Sequence, residues 1–328
     1  MYEIVLFATP SSMVDEETLR TAVGEPVRLT LAPEHALRSG QLAPEVLAEL
    51  CAATAHADAV VFRVGQVPRE VIESAPNLKI VAVHGVGTGA VAVPAATEQG
   101  VYVTVAPGGN AVSVAEYVMS VSLLARRRLD QAAATLKSAT WQVARAEGYE
   151  LSGRRMGIVG FGAIGSRVAG LASAFGMEVL VAAHGSLRDC PYPSLPLPDL
   201  AGAVDYLVIA LPFRPETIGL VSKEILGRMR PAAVIVNVAR GEIIDEAALV
   251  AALDEHRLAA ACLDVFAQEP LPPGHPLPRH PFIFATPHIA GATHEALARI
   301  ARILGEDIRR VLRGEHPRHA ANAPVPRP

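Results

Sequence analysis

Apolar residues in this chain come in short runs of strand length, separated by longer stretches in which apolar positions recur every three to four residues. In the first third the runs are YEIVLFA, PVRLTLA, ADAVVFRV, LKIVAVHG and VYVTVA. Runs that are apolar at nearly every position mark strands covered on both faces, and the stretches of helical period supply the covers. The pattern predicts a parallel sheet with crossover helices. The spacer PGGNAVSVAEYVMSVSLLARRRLD then opens on a turn signal and continues as a helix over about residues 111–128, so a boundary is expected near residue 105. A second series comes next: RRMGIVGFGAIG, MEVLVAAHG, VDYLVIALP, AAVIVNVARG, AAACLDVF and FIFATPHIAG. The last periodic stretch predicts a helix from about Thr293 to Arg313, stopped at Gly314, and HPRHAANAPVPRP reads as a proline-rich tail in which nothing folds. The fold class is α/β, with two doubly wound parallel-sheet domains.

Composition narrows the classes of function. A chain of 328 residues that is 51% hydrophobic and 19% charged has material for two buried cores. The net charge of -4 gives no positive field for a phosphate backbone, so nucleic acid is not an expected partner. A mean hydropathy of +0.30 raises the question of a membrane, yet each apolar run is broken well short of the ~20 residues a spanning helix needs. The start, MYEIVLFATPSSMVDEE, has no basic region ahead of its apolar stretch, and a cytoplasmic location is expected. Cys51, Cys190 and Cys262 lie far apart without metal spacing, so neither a disulfide framework nor a metal is expected.

The segment MGIVGFGAIGSRVAG sets Gly160, Gly162 and Gly165 in a G-x-G-x-x-G spacing between a strand-like run and a helix-like one. In that context the first glycine permits a tight turn, the second admits a pyrophosphate to the backbone, and the third lets helix and strand pack. The helix that begins at Ala163 and Ile164 would point its N-terminus at the phosphate charge. Such a turn expects a carboxylate about 20 residues further on, for the ribose of NAD. Here Ala183 stands 18 residues beyond Gly165, in VLVAAHGSLRD. Without that charge a 2′-phosphate is not repelled, and His184, Ser186 and Arg188 offer donors and positive charge, so NADP is favoured over NAD. Asp189 is the rival ribose acceptor if the loop bends back.

A cation, a carboxylate and an imidazole at strand ends can together bind an anionic group, hold a proton donor and tune it. Arg240 in NVARGEIIDEAAL, Glu269 in LDVFAQEPLP and His288 in TPHIAG each follow an apolar run, at the carboxyl end of an expected strand, where open α/β sheets bind ligands. Together with HGVGTGAV, NAVSVAEY, GIVGFGAIG and LPFRPET in the same order, from about Leu78 to Arg313, these segments make the chain resemble the D-isomer-specific 2-hydroxyacid dehydrogenases, which include phosphoglycerate dehydrogenase and glyoxylate/hydroxypyruvate reductase.

The resemblance implies a flavodoxin-like substrate domain, residues 1–104 and 290–328, into which a Rossmann cofactor domain, residues 105–289, is inserted. It implies that His288 donates a proton to the carbonyl oxygen, that Glu269 pairs with the imidazolium, and that Arg240 binds the substrate carboxylate. Asp264 falls on the acceptor for the nicotinamide carboxamide, and Pro212, Thr217, Val238 and Ala239 fall on further cofactor positions. Backbone N–H groups at Val86 and Gly87 would hold the carboxylate's other side, with Asn110 as a further contact to cofactor or substrate, or simply a turn residue. The expected partner is a small 2-keto or 2-hydroxy acid, bound between the domains of a homodimer.

Family members often read G-V-G-Y-D-N-I-D where this chain has GVGTGAVA from Gly85, so polar side chains are missing beside the carboxylate loop. Two other readings stay open: a dinucleotide-sensing corepressor of the same fold, and a phosphite-type dehydrogenase. Formate enzymes usually carry glutamine where this chain has Glu269, which counts against them.

Overall fold

The computed structural model describes residues 1–9, 14–38, 42–137, 148–182 and 190–325. It divides into two compact units, Met1–Asn110 with Thr293–Pro328, and Ala111–Ala292. The first unit opens with β1 (Tyr2–Phe7), α1 (Glu16–Val23), β2 (Val27–Leu31), α2 (Glu34–Arg38), α3 (Pro44–Thr54), β3 (Ala59–Phe62), α4 (Arg69–Glu73), β4 (Ile80–Val83), α5 (Val93–Glu98) and β5 (Tyr102–Thr104). Its strands form one parallel sheet in the order β2-β1-β3-β4-β5, the flavodoxin-like arrangement.

Every position of β3 and β4 is buried, as expected of strands covered on both faces. Alternate residues feed two cores. Val60, Phe62, Val81 and Val83 pack with Leu50, Val71 and Ile72, whereas Val61, Ile80 and Ala82 pack with Leu19 of α1 and with Ile300, Leu304 and Ile308 near the end of the chain.

The second unit contains α6 (Ala111–Arg127), α7 (Leu129–Lys137), β6 (Arg155–Val159), α8 (Ala163–Ala174), β7 (Glu178–Ala182), α9 (Leu197–Ala203), β8 (Tyr206–Ile209), α10 (Lys223–Arg228), β9 (Val234–Asn237), α11 (Glu246–Asp254), β10 (Ala260–Leu263) and β11 (Ile283–Ala285). Its sheet runs β11-β10-β9-β8-β6-β7, all parallel. Beyond β7, Val181 donates to the Pro193 carbonyl at 3.0 Å and accepts from Leu195 N–H at 2.9 Å, a one-residue continuation of the sheet at Ser194. Counting that bridge as a strand restores the 3-2-1-4-5-6 order of a dinucleotide-binding sheet, with β11 added at the far edge. The order reverses between β6 and β8, so the glycine turn after β6 sits at the switch point.

The chain closes with α12 (His294–Leu312), back in the first unit. One local expectation holds and one needs correction. The helix expected over residues 111–128 is α6, which ends at Arg127, and Arg128, with a positive φ of 51°, separates it from α7. The proline-rich segment after Gly314 is not a loose tail. Val105 donates to the His319 carbonyl at 3.1 Å, Ala321 donates to the Val103 carbonyl at 2.7 Å, and Ala320 bridges Thr104 in antiparallel sense, covering the exposed edge of β5. Asn322 Oδ1 accepts from Val103 N–H at 2.7 Å, and the fully buried Asp307 accepts from the N–H groups of Arg318 and His319. These partners lie far apart in sequence, which is why composition alone misses them. Among the described residues no helix is long and apolar enough to cross a membrane.

Candidate active site

The glycine turn after β6 is built by close backbone contacts. Gly160 has φ +100°, and a Cβ there would lie 2.7 Å from the Ala210 carbonyl oxygen. A Cβ at Gly165 would lie 2.0 Å from the Gly160 carbonyl oxygen, so α8 can approach the turn only without one. A Cβ at Gly162 would meet nothing within 4 Å, so the second glycine keeps open space beside the start of α8. Gly162 also offers α8 no side-chain cap, leaving the first-turn N–H groups around Ala163 and Ile164 to an outside acceptor. This cradle fits a pyrophosphate. Ala183, His184, Ser186, Arg188 and Asp189 lie outside the described residues.

Arg240, Glu269 and His288 follow β9, β10 and β11, three neighbouring strands, and their loops are tied together at the carboxyl end. Buried Asn237, the last residue of β9, donates through Nδ2 to the Arg240 carbonyl at 2.9 Å and accepts the Ala239 N–H at 3.0 Å, folding the chain into a small turn. Arg240 adds a bond of its own, Nη1 to the Ala239 carbonyl at 2.7 Å. The next residue, Gly241, presses on the loop after β10: a Cβ there would sit 1.8 Å from the Phe266 carbonyl carbon. That contact seats the Arg240 loop against the loop that carries Glu269.

Glu269 Oε1 accepts the Phe266 N–H at 2.9 Å, and Oε2 lies 2.7 Å from His288 Nδ1. Burial by itself pushes this carboxyl up, but the hydrogen bonds from His288 and Phe266 and the charge of Arg240 outweigh it and hold Glu269 below the ordinary carboxylate range. An ionised carboxylate only accepts, so Nδ1 carries the proton in this pair, and Nε2 is the nitrogen left for a reacting oxygen. The His288 side chain is 49% exposed, open enough to meet a ligand.

His288 has a positive φ of 54°. For a residue other than glycine that geometry costs on the order of 1–3 kcal/mol and persists only where its surroundings impose it. Here the His288 N–H donates to the Asp264 carbonyl at 2.8 Å, while the Asp264 carboxylate accepts the N–H groups of Ile289 and Ala290 at 2.8 Å each and the Thr286 hydroxyl at 2.6 Å. Asp264 is 1% exposed. Burial pushes its carboxyl up, opposed by those three donors.

Residues 119–290, just over half the chain, match the sequence profile described as D-isomer specific 2-hydroxyacid dehydrogenase, NAD binding domain. The chain belongs to the D-isomer specific 2-hydroxyacid dehydrogenase family. Within it, D-3-phosphoglycerate dehydrogenase of Methanocaldococcus jannaschii is 38% identical over 84% of this chain and 54% of its own length. Glyoxylate reductase of Korarchaeum cryptofilum is 37% identical over 78% of this chain and 80% of its own length. The crystal structure of the NADPH-dependent glyoxylate/hydroxypyruvate reductase of Sinorhizobium meliloti superimposes with a TM-score of 0.82 at 26% identity, covering 99% of both chains. The chain spans about half the length of the phosphoglycerate dehydrogenases it matches.

The other candidate residues of this family member fall in both units. Pro212 is exposed after β8, and Thr217 is buried, its hydroxyl donating to the Arg214 carbonyl at 2.8 Å and accepting the Arg214 N–H at 2.9 Å. Val238 and Ala239 are buried in the turn ahead of Arg240. Val86 and Gly87 are exposed beyond the carboxyl end of β4, and Asn110 is partly buried ahead of α6. Sequence reasoning missed Asn237, Gly241, Tyr117 and Thr286. The first two were within reach, because an Asn and a Gly flank Arg240 in NVARG. Tyr117 and Thr286 carry no local signal; their hydroxyls meet at 2.6 Å across 169 residues of sequence.

Proposed function

We propose that this chain interconverts a small 2-keto acid and its D-2-hydroxy acid with a nicotinamide dinucleotide, in the manner of a glyoxylate/hydroxypyruvate reductase. The single observation that carries the reading is the 2.7 Å pair between Glu269 Oε2 and His288 Nδ1, set at the end of the strand beside the one that presents Arg240. The dinucleotide, when bound, supplies or takes up the hydride. The protein's own groups do the rest. Arg240 binds the substrate carboxylate through its planar guanidinium, which suits two parallel hydrogen bonds. His288 delivers the proton from Nε2 to the carbonyl oxygen, and the Glu269 carboxylate holds the ring and offsets its charge. The pyrophosphate rests on Gly160, Gly162 and the start of α8.

NADP is the preferred dinucleotide in this reading, on the strength of Ala183 in the ribose position with His184 and Arg188 nearby. Kinship with an NADPH-dependent reductase supports it. A cytoplasmic homodimer remains part of the proposal. The test is a panel of 2-keto acids, among them glyoxylate, hydroxypyruvate, its 3-phosphate and bulkier analogues, assayed by loss of reduced-cofactor absorbance with NADH and NADPH in parallel. Turnover of an unphosphorylated keto acid with NADPH ahead of NADH supports the reading. Strict dependence on the 3-phosphate moves the substrate to the phosphoglycerate class, a strong NADH preference removes the cofactor assignment, and no turnover of any keto acid removes the proposal.

A further inference from the structure

The turn that carries His288 belongs to no helix or strand, and beside its backbone bonds and the Glu269 pair it is fixed through one buried side chain. Ile289 and Ala290 donate their N–H groups to the two carboxylate oxygens of Asp264 at 2.8 Å, and Thr286 donates its hydroxyl to Oδ1 at 2.6 Å. Behind this contact stands another. Tyr117 Oη lies 2.6 Å from Thr286 Oγ1.

Counting protons gives the contact a direction. Both Asp264 oxygens accept backbone N–H groups and Thr286 donates its one hydroxyl proton to Oδ1, so the bond from Tyr117 must be a donation to Thr286. Burial pushes the Tyr117 phenol up, so the tyrosine keeps its proton at any working pH. Tyr117 is carried by α6, a helix whose Val114, Val118 and Val121 pack in the sheet core with Met156, Val208 and Val236. The chain Tyr117 to Thr286 to Asp264 thus links a core-packed helix to the Thr286 side chain ahead of His288 and to the backbone of Ile289 and Ala290 after it.

We propose that Tyr117 is a positioning residue for proton transfer: through Thr286 and Asp264 it fixes the turn at Ile289 and Ala290, and so sets the direction in which His288 presents Nε2. The proposal rests on His288 being the proton donor. Its consequence is a residue with no contact to the reacting atoms whose hydroxyl matters for turnover, because a displacement of about 1 Å at a catalytic group costs up to about 100-fold in rate.

The experiment combines steady-state kinetics with amide hydrogen exchange of the dinucleotide-free protein. Tyr117→Phe keeps the ring in its packing and removes only the donor. Its kcat is expected to fall about 10-fold while KM for the keto acid and Kd for the dinucleotide stay within about twofold. Exchange at the Ile289 and Ala290 amides is expected to quicken about 10-fold, a change that needs no bound cofactor to be seen. Thr286→Val should reproduce both effects and Thr286→Ser should restore them, a second arm that leaves α6 untouched. In a His288→Ala background, Tyr117→Phe should lower the residual rate no further. Wild-type kcat and exchange in Tyr117→Phe, or an equal loss with and without His288, overturn the proposal. The two readings separate cleanly: a fully active His288→Ala variant sinks the assignment of the acid itself, whereas an inactive His288→Ala beside a normal Tyr117→Phe sinks only the role of Tyr117.

Discussion

The two sheets of this protein are built alike and end differently. Both are parallel, both are buried on two faces, and both place ionisable groups at the carboxyl ends of neighbouring strands. In the second unit those groups are tied to one another and to the backbone: Glu269 to His288 and Phe266, Arg240 to Ala239, Asp264 to three donors. In the first unit Arg63, just past β3, and His84, just past β4, face each other at 3.4 Å, guanidinium to imidazole, and among the described residues His84 Nε2 is buried without a partner. Burial first, and the Arg63 charge second, hold the His84 imidazole at about 3, so it is neutral where an ordinary histidine takes a proton. The difference is one of direction: in the second unit each group is oriented by hydrogen bonds to the loops around it, whereas among the described residues His84 Nε2 meets no partner.

The sharpest way to break the contrast is to remove one histidine from each set. His288→Ala is expected to lose at least ~100-fold in kcat with dinucleotide affinity largely kept, the scale of a positioned acid. His84→Gln should leave the chemical step far less affected, and stopped-flow turnover of both variants decides it; equal losses would erase the distinction. Next in size is the joint between the loops of Arg240 and Glu269. Gly241→Ala drives a Cβ into the backbone of Phe266 and Ala267, and a cost of about 3 kcal/mol is expected, read as a lower urea midpoint together with reduced kcat. An unchanged midpoint would mean the loops are not locked together.

The contrast can be made finer by pH. His84 is held at about 3 in the folded chain, and an unfolded histidine titrates near ~6.5, so between these values the unfolded state binds more protons. Stability is therefore full above about pH 6.5 and falls as pH drops through that window, by on the order of 2–3 kcal/mol at about pH 4.5. Urea unfolding of wild type and His84→Gln at both ends of the window checks the sign: the variant should lose this part of the slope, and identical slopes would contradict it. The smallest effect is expected at the covered edge of β5, where Asn322→Ala removes the acceptor for Val103 N–H and donors to Thr97 and the Val101 carbonyl. A loss of about 1–2 kcal/mol is expected in thermal or urea unfolding.

The strands were legible because a parallel strand buried on both faces writes itself as an unbroken apolar run, as in AVVF of β3 and IVAV of β4. The glycine turn was legible for a related reason. Gly165 is required by its contact with the Gly160 carbonyl within the same turn, whereas the contacts of Gly160 with Ala182 and Ala210 come from further along the chain. The end of α6 was legible, but α7 beyond Arg128 was not, because it buries no residue and so no core sets an apolar period for it. Nor was the fold of the segment after Gly314, whose partners Val103, Val105 and Asp307 belong to other elements.

Short-range rules carried in the amino-acid order were enough to mark which segments are strands, where a phosphate-sized cradle opens, and which residue types stand at strand ends. Long-range packing settled the rest: β9, β10 and β11 lie side by side, bringing the loops of Arg240, Glu269 and His288 together, and Tyr117 reaches Thr286. Burial periodicity and turn chemistry act between neighbours in the chain, whereas strand order and side-chain convergence depend on contacts between residues tens to hundreds of positions apart, which no local pattern encodes.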